Sequence, residues 1–167
     1  MEKPLVGACG VFYVSAELSR RGWIAMPTIR NTSGIDIIAA KGEKDVNIQV
    51  KTNSYGKVKY PMSKSSEELI ADNLYYVFVT LKGEYERPGF YILQSKLVAN
   101  YIKESHEKFA TLTPRRRLRR KETEEERKER RKKSTMRQFP NYVGKLIPSF
   151  RDFEIDDYKD KWKILEG

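Results

Sequence analysis

The stretch "GIDIIAAKGEKDVNIQVKT", residues 34–52, contains two apolar segments separated by a polar turn. The segments "IDIIAA" (35–40) and "VNIQVKT" (46–52) are rich in β-branched residues, which favour strands. The turn between them contains the Gly and Asp residues that are typical of chain reversals. The pattern therefore predicts two neighbouring strands of one sheet.

Polar side chains interrupt both predicted strands. Gln49 and Lys51 are two residues apart, so they share one face of their strand. The position of Asp36 depends on the register of the pair. If Ala40 pairs with Val46, Asp36 lies on the other face. If the connection shifts the register by one residue, or if the strands splay at Asp36, all three polar side chains converge. Alternation alone leaves both arrangements open.

If these three polar side chains converge, they would form a site for a hard cation. A carboxylate and an amide carbonyl suit Mg²⁺ or Mn²⁺, which would polarise a phosphodiester and favour a bound hydroxide. Lys51 would orient the water and stabilise charge on the phosphate. Glu17, in a predicted upstream helix, would add a third oxygen ligand or a contact to the ligands. The alternative is that Gln49 and Lys51 form the solvent face of an edge strand, which leaves Asp36 unexplained.

The remaining periodicities complete an α/β pattern. We predict a helix at 7–21 closed by Gly22, strands at 23–27, 74–81 and 90–94, a polar loop at 53–66 and a helix at 95–109. This order favours an α/β fold with a central mixed β-sheet flanked by helices.

Length and charge limit the functional class. The 167 residues suit one domain spanning 1–167, and the net charge of +10 favours a polyanionic partner, nucleic acid before an anionic membrane surface. The alternative is a soluble basic protein without such a partner. One Cys and one His exclude an intrachain disulfide and the usual zinc site. No leader or membrane-crossing window is evident, so we expect a cytoplasmic protein.

Charge is concentrated in one segment. We predict a core over 7–110, a basic insertion or arm over 115–133, and a C-terminal segment, 134–167, that packs back on the core. The arm holds 12 Lys or Arg against 5 Glu, a local net charge of +7. It would bind DNA phosphates without reading sequence. The alternative is a solvated charged helix, in which Glu124 and Lys128 have a favourable spacing, or a disordered excursion.

Eight basic residues near the motif strand or in the arm are candidate nucleic-acid contacts. They are Lys57, Lys59, Lys64, Arg115, Arg116, Arg117, Arg119 and Arg120. For any one of the lysines, an ordinary surface role is the alternative.

The candidate residues also resemble a known motif. "AEL" with Glu17, "GID" with Asp36, and "IQVKT" with Gln49 and Lys51 look like the PD-(D/E)xK nuclease superfamily, which has the restriction-endonuclease-like fold. The resemblance covers roughly residues 7–81. The chain is similar to archaeal Holliday junction resolvases and, through its Q-x-K variant, to Mrr-type restriction enzymes.

That resemblance implies a role for each residue. Asp36 is the metal ligand, Gln49 takes the place of the second acid, Lys51 is the catalytic lysine and Glu17 the helix-borne acid. The backbone carbonyl of Val50 is a further ligand. The glutamine removes one negative charge from the site, so weaker metal binding or dependence on Glu17 is expected.

The expected function is Mg²⁺- or Mn²⁺-dependent endonuclease hydrolysis of DNA phosphodiester bonds, plausible in a homodimer because cutting two strands usually takes two such sites. Two alternatives remain open. One is a non-catalytic nucleic-acid-binding protein that keeps the nuclease fold. The other is a protein-interaction module whose charged arm binds an acidic partner.

Overall fold

The computed structural model describes residues 2–28, 34–54, 59–111, 123–139 and 155–167. The helices are α1 (Lys3–Ser19), α2 (Ser95–Thr111) and α3 (Glu124–Lys132). The strands are β1 (Ile24–Pro27), β2 (Ile37–Lys41), β3 (Lys44–Asn53), β4 (Tyr60–Ser63), β5 (Leu74–Thr80), β6 (Gly89–Gln94) and β7 (Met136–Phe139). Short 3₁₀ helices cover Lys64–Glu67, Ile155–Tyr158 and Trp162–Glu166. None of the helices described is both long and apolar enough to span a bilayer.

Five strands form the central sheet, in the order β1-β2-β3-β5-β6. The β3–β5 pair is parallel and the other neighbours are antiparallel, so the sheet is mixed. Because a parallel pair needs a long crossover, the chain leaves the sheet after β3 and returns at β5. The predicted α/β fold with a central mixed sheet flanked by helices is confirmed.

Helix α1 begins at Lys3, earlier than predicted, because Pro4 is well tolerated in the first helical turn. Its buried side includes Val6, Val14 and Leu18. The helix ends where Gly22 adopts φ +81 and the Trp23 N–H donates to the Leu18 carbonyl at 3.1 Å. This closure satisfies a terminal carbonyl and confirms the predicted glycine stop.

The two faces of the sheet pack into separate apolar clusters. Tyr75, Val77 and Val79 of β5 belong to the cluster beneath α1, whereas Tyr76 and Phe78 belong to the cluster beneath α2. Every residue of β5 except the last is buried, as expected of a central strand covered on both faces. The face under α1 is called the α1 face below, and the other the α2 face.

A two-stranded antiparallel ribbon, β4 with β7, adds to the α2 face. Strand β4 lies within the polar loop predicted at 53–66, where the sequence also allowed a short extended piece. Tyr60 pairs with Phe139, and both side chains are buried. Their rings lie 4.8 Å and 4.4 Å from the Phe78 ring, between centroids. The strand is too short for its alternation to stand out from a polar sequence, and its partner lies far along the chain.

The C-terminal residues that are described also contact the sheet. Trp162 and Leu165 are buried in the cluster on the α1 face. The Trp162 ring lies 5.4 Å from that of Phe90, and the Arg21 guanidinium lies 4.6 Å from the Trp162 centroid. Trp162 therefore joins the end of the chain to α1 and β6.

Two glycines of α1 provide a matched test of this packing. A Cβ built on Gly10 would lie 1.8 Å from Thr52 Oγ1, whereas one on Gly7 has open space around it. We expect Gly10→Ala to lower the free energy of unfolding by about 1–3 kcal/mol through overpacking. Gly7→Ala should raise it by about 0.5–1 kcal/mol through helix propensity. Urea unfolding measures both, and equal effects would contradict the close contact between α1 and β3.

Candidate active site

The β2–β3 hairpin sets the position of the candidate residues. Lys41 pairs with Lys44, so the loop contains two residues, and Gly42 adopts φ +61. Glu43 does not have a positive φ, which fits a type II′ turn with glycine first. Ile37 then pairs with Ile48, the last pair of the ladder, and Asp36 lies in a bend immediately before β2. The register is thus shifted by one residue from the Ala40–Val46 pairing.

Asp36 is held against β3 through both its backbone and its side chain. Its N–H donates to the Ile48 carbonyl at 2.8 Å, and its Oδ2 accepts from the Val50 N–H at 2.7 Å. The next residue, Ile37, is buried on the α1 face. Burial is the main influence on the pKa of the Lys51 ammonium and of the Tyr76 phenol, but the Asp36 carboxylate acts to raise both, so it lies on the α2 side with them.

Gln49 presents an oxygen that needs a partner. Its Oε1 is buried and accepts no hydrogen bond from the residues that the structure describes. An unsatisfied buried polar atom costs about 1–3 kcal/mol, so it calls for an explanation such as a bound ion or water. The amide oxygen is therefore suited to a hard cation or to a donor on a ligand.

Lys51 lies two residues further along β3, on the same face as Gln49. Its side chain is half-buried, and it pairs in register with Phe78. Burial lowers the pKa of the Lys51 ammonium below its usual 10.5, and the nearby Asp36 carboxylate partly opposes this. A cation held in a partly apolar surrounding interacts more strongly with an anionic ligand than it would in water.

Tyr76 joins this face from the neighbouring strand, and sequence reasoning missed it. It pairs with Gln49 across the parallel β3–β5 ladder. Burial raises the pKa of the Tyr76 phenol, the Ser66 hydroxyl opposes that rise, and the Asp36 carboxylate adds to it. The group therefore stays protonated and can donate a hydrogen bond. "LYYVFVTL" indicates only a buried strand; the pairing of β5 with β3 is needed to find the role.

Glu17 lies elsewhere, and the expectation that it joins these residues is not met. It is buried on α1, on the opposite face of the sheet, where its carboxylate contacts three guanidinium groups. These belong to Arg20 at 3.1 Å, Arg87 at 3.1 Å, and Arg21. Burial raises the pKa of Glu17, but the hydrogen bonds from Arg87 and Arg21 outweigh it and leave the pKa below its usual value.

The oxygen donors on the α2 face form a site of low charge. They are the Asp36 carboxylate and the Gln49 amide oxygen; the family resemblance implies the backbone carbonyl of Val50 as a third ligand. The residues described contain no group of three or more His, Cys, Asp or Glu that could hold a metal. A cation at this position would therefore be bound by one carboxylate and neutral oxygens. Water would complete its coordination, as is common for Mg²⁺.

The candidate nucleic-acid contacts are only partly visible. Lys57 and the five candidate arginines of the arm (Arg115, Arg116, Arg117, Arg119 and Arg120) lie outside the described residues. Lys59 immediately precedes β4, and its Nζ lies 3.5 Å from Gln138 Oε1. Lys64 is exposed, and its N–H donates to the Thr135 carbonyl at 2.9 Å. Both lysines thus lie at the ends of the β4–β7 ribbon.

The second half of the arm is a capped helix. Thr123 and Glu126 form a reciprocal capping box at the start of α3. The T-x-x-E pattern that indicates such a box is present in the sequence. The predicted Glu124–Lys128 pair is present at 3.4 Å. Arg131 donates to the Phe109 carbonyl at 3.2 Å, so α3 is held against α2.

Comparisons with known proteins give one structural neighbour. No protein-family model matches the chain, and no curated protein is significantly similar in sequence. A bacterial homing endonuclease of known structure aligns over 99% of this chain and 92% of its own, with 12% identity and a TM-score of 0.48. The function is therefore inferred from this chain's own residues.

The Glu17 cluster predicts a pH-dependent stability. Since its folded pKa is depressed, its contribution is present above the usual value of 4.5 and is lost as pH falls through the folded pKa. We expect Glu17→Gln to cost about 1–3 kcal/mol at pH 7 and progressively less below pH 4.5. Glu104→Gln, at an exposed pair with Lys108, should change stability by less than about 0.5 kcal/mol. A pH-independent loss in Glu17→Gln would contradict this account.

Lys51 should cost the protein stability. We expect Lys51→Met to raise the free energy of unfolding by about 0.5–2 kcal/mol at pH 7, because it removes a desolvated cation. The folded wild type holds this proton less tightly than the unfolded chain, so its stability should rise with pH towards 10.5. This contribution to the pH dependence of the free energy of unfolding should be absent in Lys51→Met. Lys44→Met, at an exposed position on the same strand, should retain it.

Proposed function

We propose that this protein is a divalent-metal-dependent nuclease that hydrolyses DNA phosphodiester bonds on the α2 face of its sheet. One observation carries the proposal. The Asp36 carboxylate accepts from the Val50 N–H, between Gln49 and Lys51 of β3, and the buried Gln49 amide oxygen accepts no hydrogen bond from the described residues. The desolvated Lys51 and the unsatisfied Gln49 oxygen both cost stability, and a site for a metal and a phosphate would account for that cost.

The residues fit a bound Mg²⁺ or Mn²⁺. Asp36, Gln49 and the Val50 carbonyl would hold the ion, since all three offer the oxygen ligands that hard cations prefer. When bound, such an ion polarises the phosphoryl group and lowers the pKa of a coordinated water.

The chain's own groups would do the rest. Lys51 would donate to a non-bridging phosphate oxygen and stabilise the negative charge that develops there. Tyr76, protonated because burial raises its pKa, would donate a hydrogen bond to an oxygen in the same hollow. Glu17 would support the site only through the position of α1, since its carboxylate is occupied by arginines.

The charge distribution supports a nucleic-acid substrate. The net charge of +10 favours binding of a phosphate backbone. Lys59 and Lys64 flank the α2 face, and the arm provides further basic side chains. Since phosphate contacts release counterions, affinity should fall steeply with salt.

The test is cleavage of supercoiled plasmid, a linear duplex and a four-way junction with Mg²⁺ or Mn²⁺. We expect Asp36→Asn and Lys51→Met to reduce cleavage at least about 100-fold while retaining DNA binding, because each removes a group that acts on the reacting phosphate. Asp45→Asn and Lys44→Met, on the same strand but exposed, are the matched controls and should cleave normally.

The alternatives give different results in the same experiment. A protein that cleaves nothing with any metal, yet binds DNA with a steep salt dependence, is the non-catalytic nucleic-acid-binding protein. A protein that neither cleaves nor binds DNA fits the protein-interaction module. Cleavage that survives Asp36→Asn would show that the reaction takes place elsewhere.

Metal binding provides a readout that does not depend on turnover. We expect Gln49→Glu to bind Mn²⁺ about tenfold more tightly in calorimetric titration, because a second carboxylate raises the charge of the ligand set. Without metal the same variant should melt lower, since two carboxylates then face each other, and Mn²⁺ should reverse this. Asp36→Asn should abolish binding; unchanged affinity in that variant would exclude the assigned site.

A further inference from the structure

Helix α1 exposes apolar side chains on the side that faces away from the sheet. Leu5 is 58% exposed and Phe12 is 68% exposed, although both are large hydrophobic residues. Ala8 and Ala16 are exposed at the same helical spacing. These four residues form one continuous band, here called the outer stripe.

The helix as a whole lacks the polarity of a solvated surface helix. No charged residue occurs from Pro4 to Ala16, although 34% of the whole chain is charged. The inner side already packs on the sheet through Val6, Val14 and Leu18. A helix that is apolar on all sides is normally buried all round, so the outer stripe indicates a protein contact that the described residues of one chain do not make.

The sequence of the outer stripe suits a second copy of this chain. Phe12 lies at its centre, and Ala8 and Ala16 lie one turn to either side. If a second α1 runs antiparallel about a two-fold axis at Phe12, each phenyl ring fits into the notch above an alanine of the partner helix. This is a knob-into-hole contact, and a two-fold contact needs such self-complementarity.

Charge at the two ends also favours the antiparallel arrangement. Glu2 occupies the N-cap position, and Arg20, which contacts Glu17 but has a side chain that is 70% exposed, follows the C-terminal end. An antiparallel copy brings the Glu2 end of each helix to the Arg20 end of the other, with opposed helix dipoles. A polyanion would find no cation along the outer stripe, so nucleic acid does not fit this surface.

We propose that the protein forms a two-fold homodimer through antiparallel packing of the outer stripes of its α1 helices. The proposal does not depend on the nuclease assignment. In this dimer the two α2 faces point outward, separated by two sheet–helix layers and one helix–helix layer, roughly 30 Å in all. The two candidate sites would then engage separate segments of nucleic acid rather than two neighbouring phosphates.

The first test is the mass in solution, measured without DNA by light scattering at micromolar concentration. We expect the wild type to have twice the chain mass of 19.6 kDa. Phe12→Lys should be monomeric with unchanged circular dichroism, because it places a charge at the centre of the contact. Tyr85→Lys, which changes a 95% exposed aromatic residue elsewhere, is the control and should remain dimeric. A monomeric wild type overturns the proposal.

Cross-linking tests the direction of packing and stays informative even if Phe12→Lys does not fold. Cys9 is the only cysteine, so Cys9→Ser provides a background without thiols. In that background Phe12→Cys should form a covalent dimer with a short bismaleimide, since position 12 meets its own copy at the axis. Leu5→Cys should not, because antiparallel packing separates the two copies of position 5 by about 20 Å. Efficient cross-linking through position 5 overturns the antiparallel dimer.

Discussion

The hydrogen bond from the Val50 N–H to the Asp36 carboxylate, 2.7 Å long, ties the entry of β2 to the middle of β3. The acceptor of this hydrogen bond is a side-chain oxygen, whereas the acceptor in a regular β-ladder is a backbone carbonyl. The carboxylate is therefore fixed beside β3 and not left free in a loop. The other groups of the candidate site lie around this hydrogen bond: Gln49 and Lys51 on the same strand, β3, and Tyr76 on the neighbouring strand, β5.

The two faces of the sheet serve different purposes. On the α1 face, Leu18, Ile48 and Val77 are fully buried, and the buried acid beside them, Glu17, is neutralised by arginines. On the α2 face, Lys51 and the Gln49 oxygen are held in surroundings that do not satisfy them. The α2 face is well packed too, since Tyr76, Phe78 and Leu93 are fully buried there, so the apolar clusters on both faces supply the stability that offsets these unsatisfied groups.

Much of the central sheet could be predicted from local patterns. The β-branched runs at β3 and β5, the helical spacing of α1 and the glycine at its end all act within one element. The register of the hairpin also had a usable signal. Gly42 in the first position of a two-residue loop favours a type II′ turn, and Lys41 opposite Lys44 leads directly to Ile37 opposite Ile48, with Asp36 immediately before that pair.

Other features depend on contacts between distant parts of the chain, which no local pattern reveals. The pairing of β4 with β7 joins Tyr60 to Phe139, and only that contact identifies β4 as a strand. The sequence predicts Glu17 as part of the site, but in the fold it contacts Arg87, which lies just before β6, on the other face. Tyr76 is recognisable only once β5 is known to lie beside β3.

The way α3 is attached to α2 has a consequence for the residues between them. Residues 112–122 begin at the end of α2 and finish at the Thr123 cap, and Arg131 fastens α3 back onto Phe109. The chain is thus anchored on both sides of these residues. Closing a longer connection costs little extra entropy, so the number of residues between the two anchors adds little to the cost of holding α3 against α2.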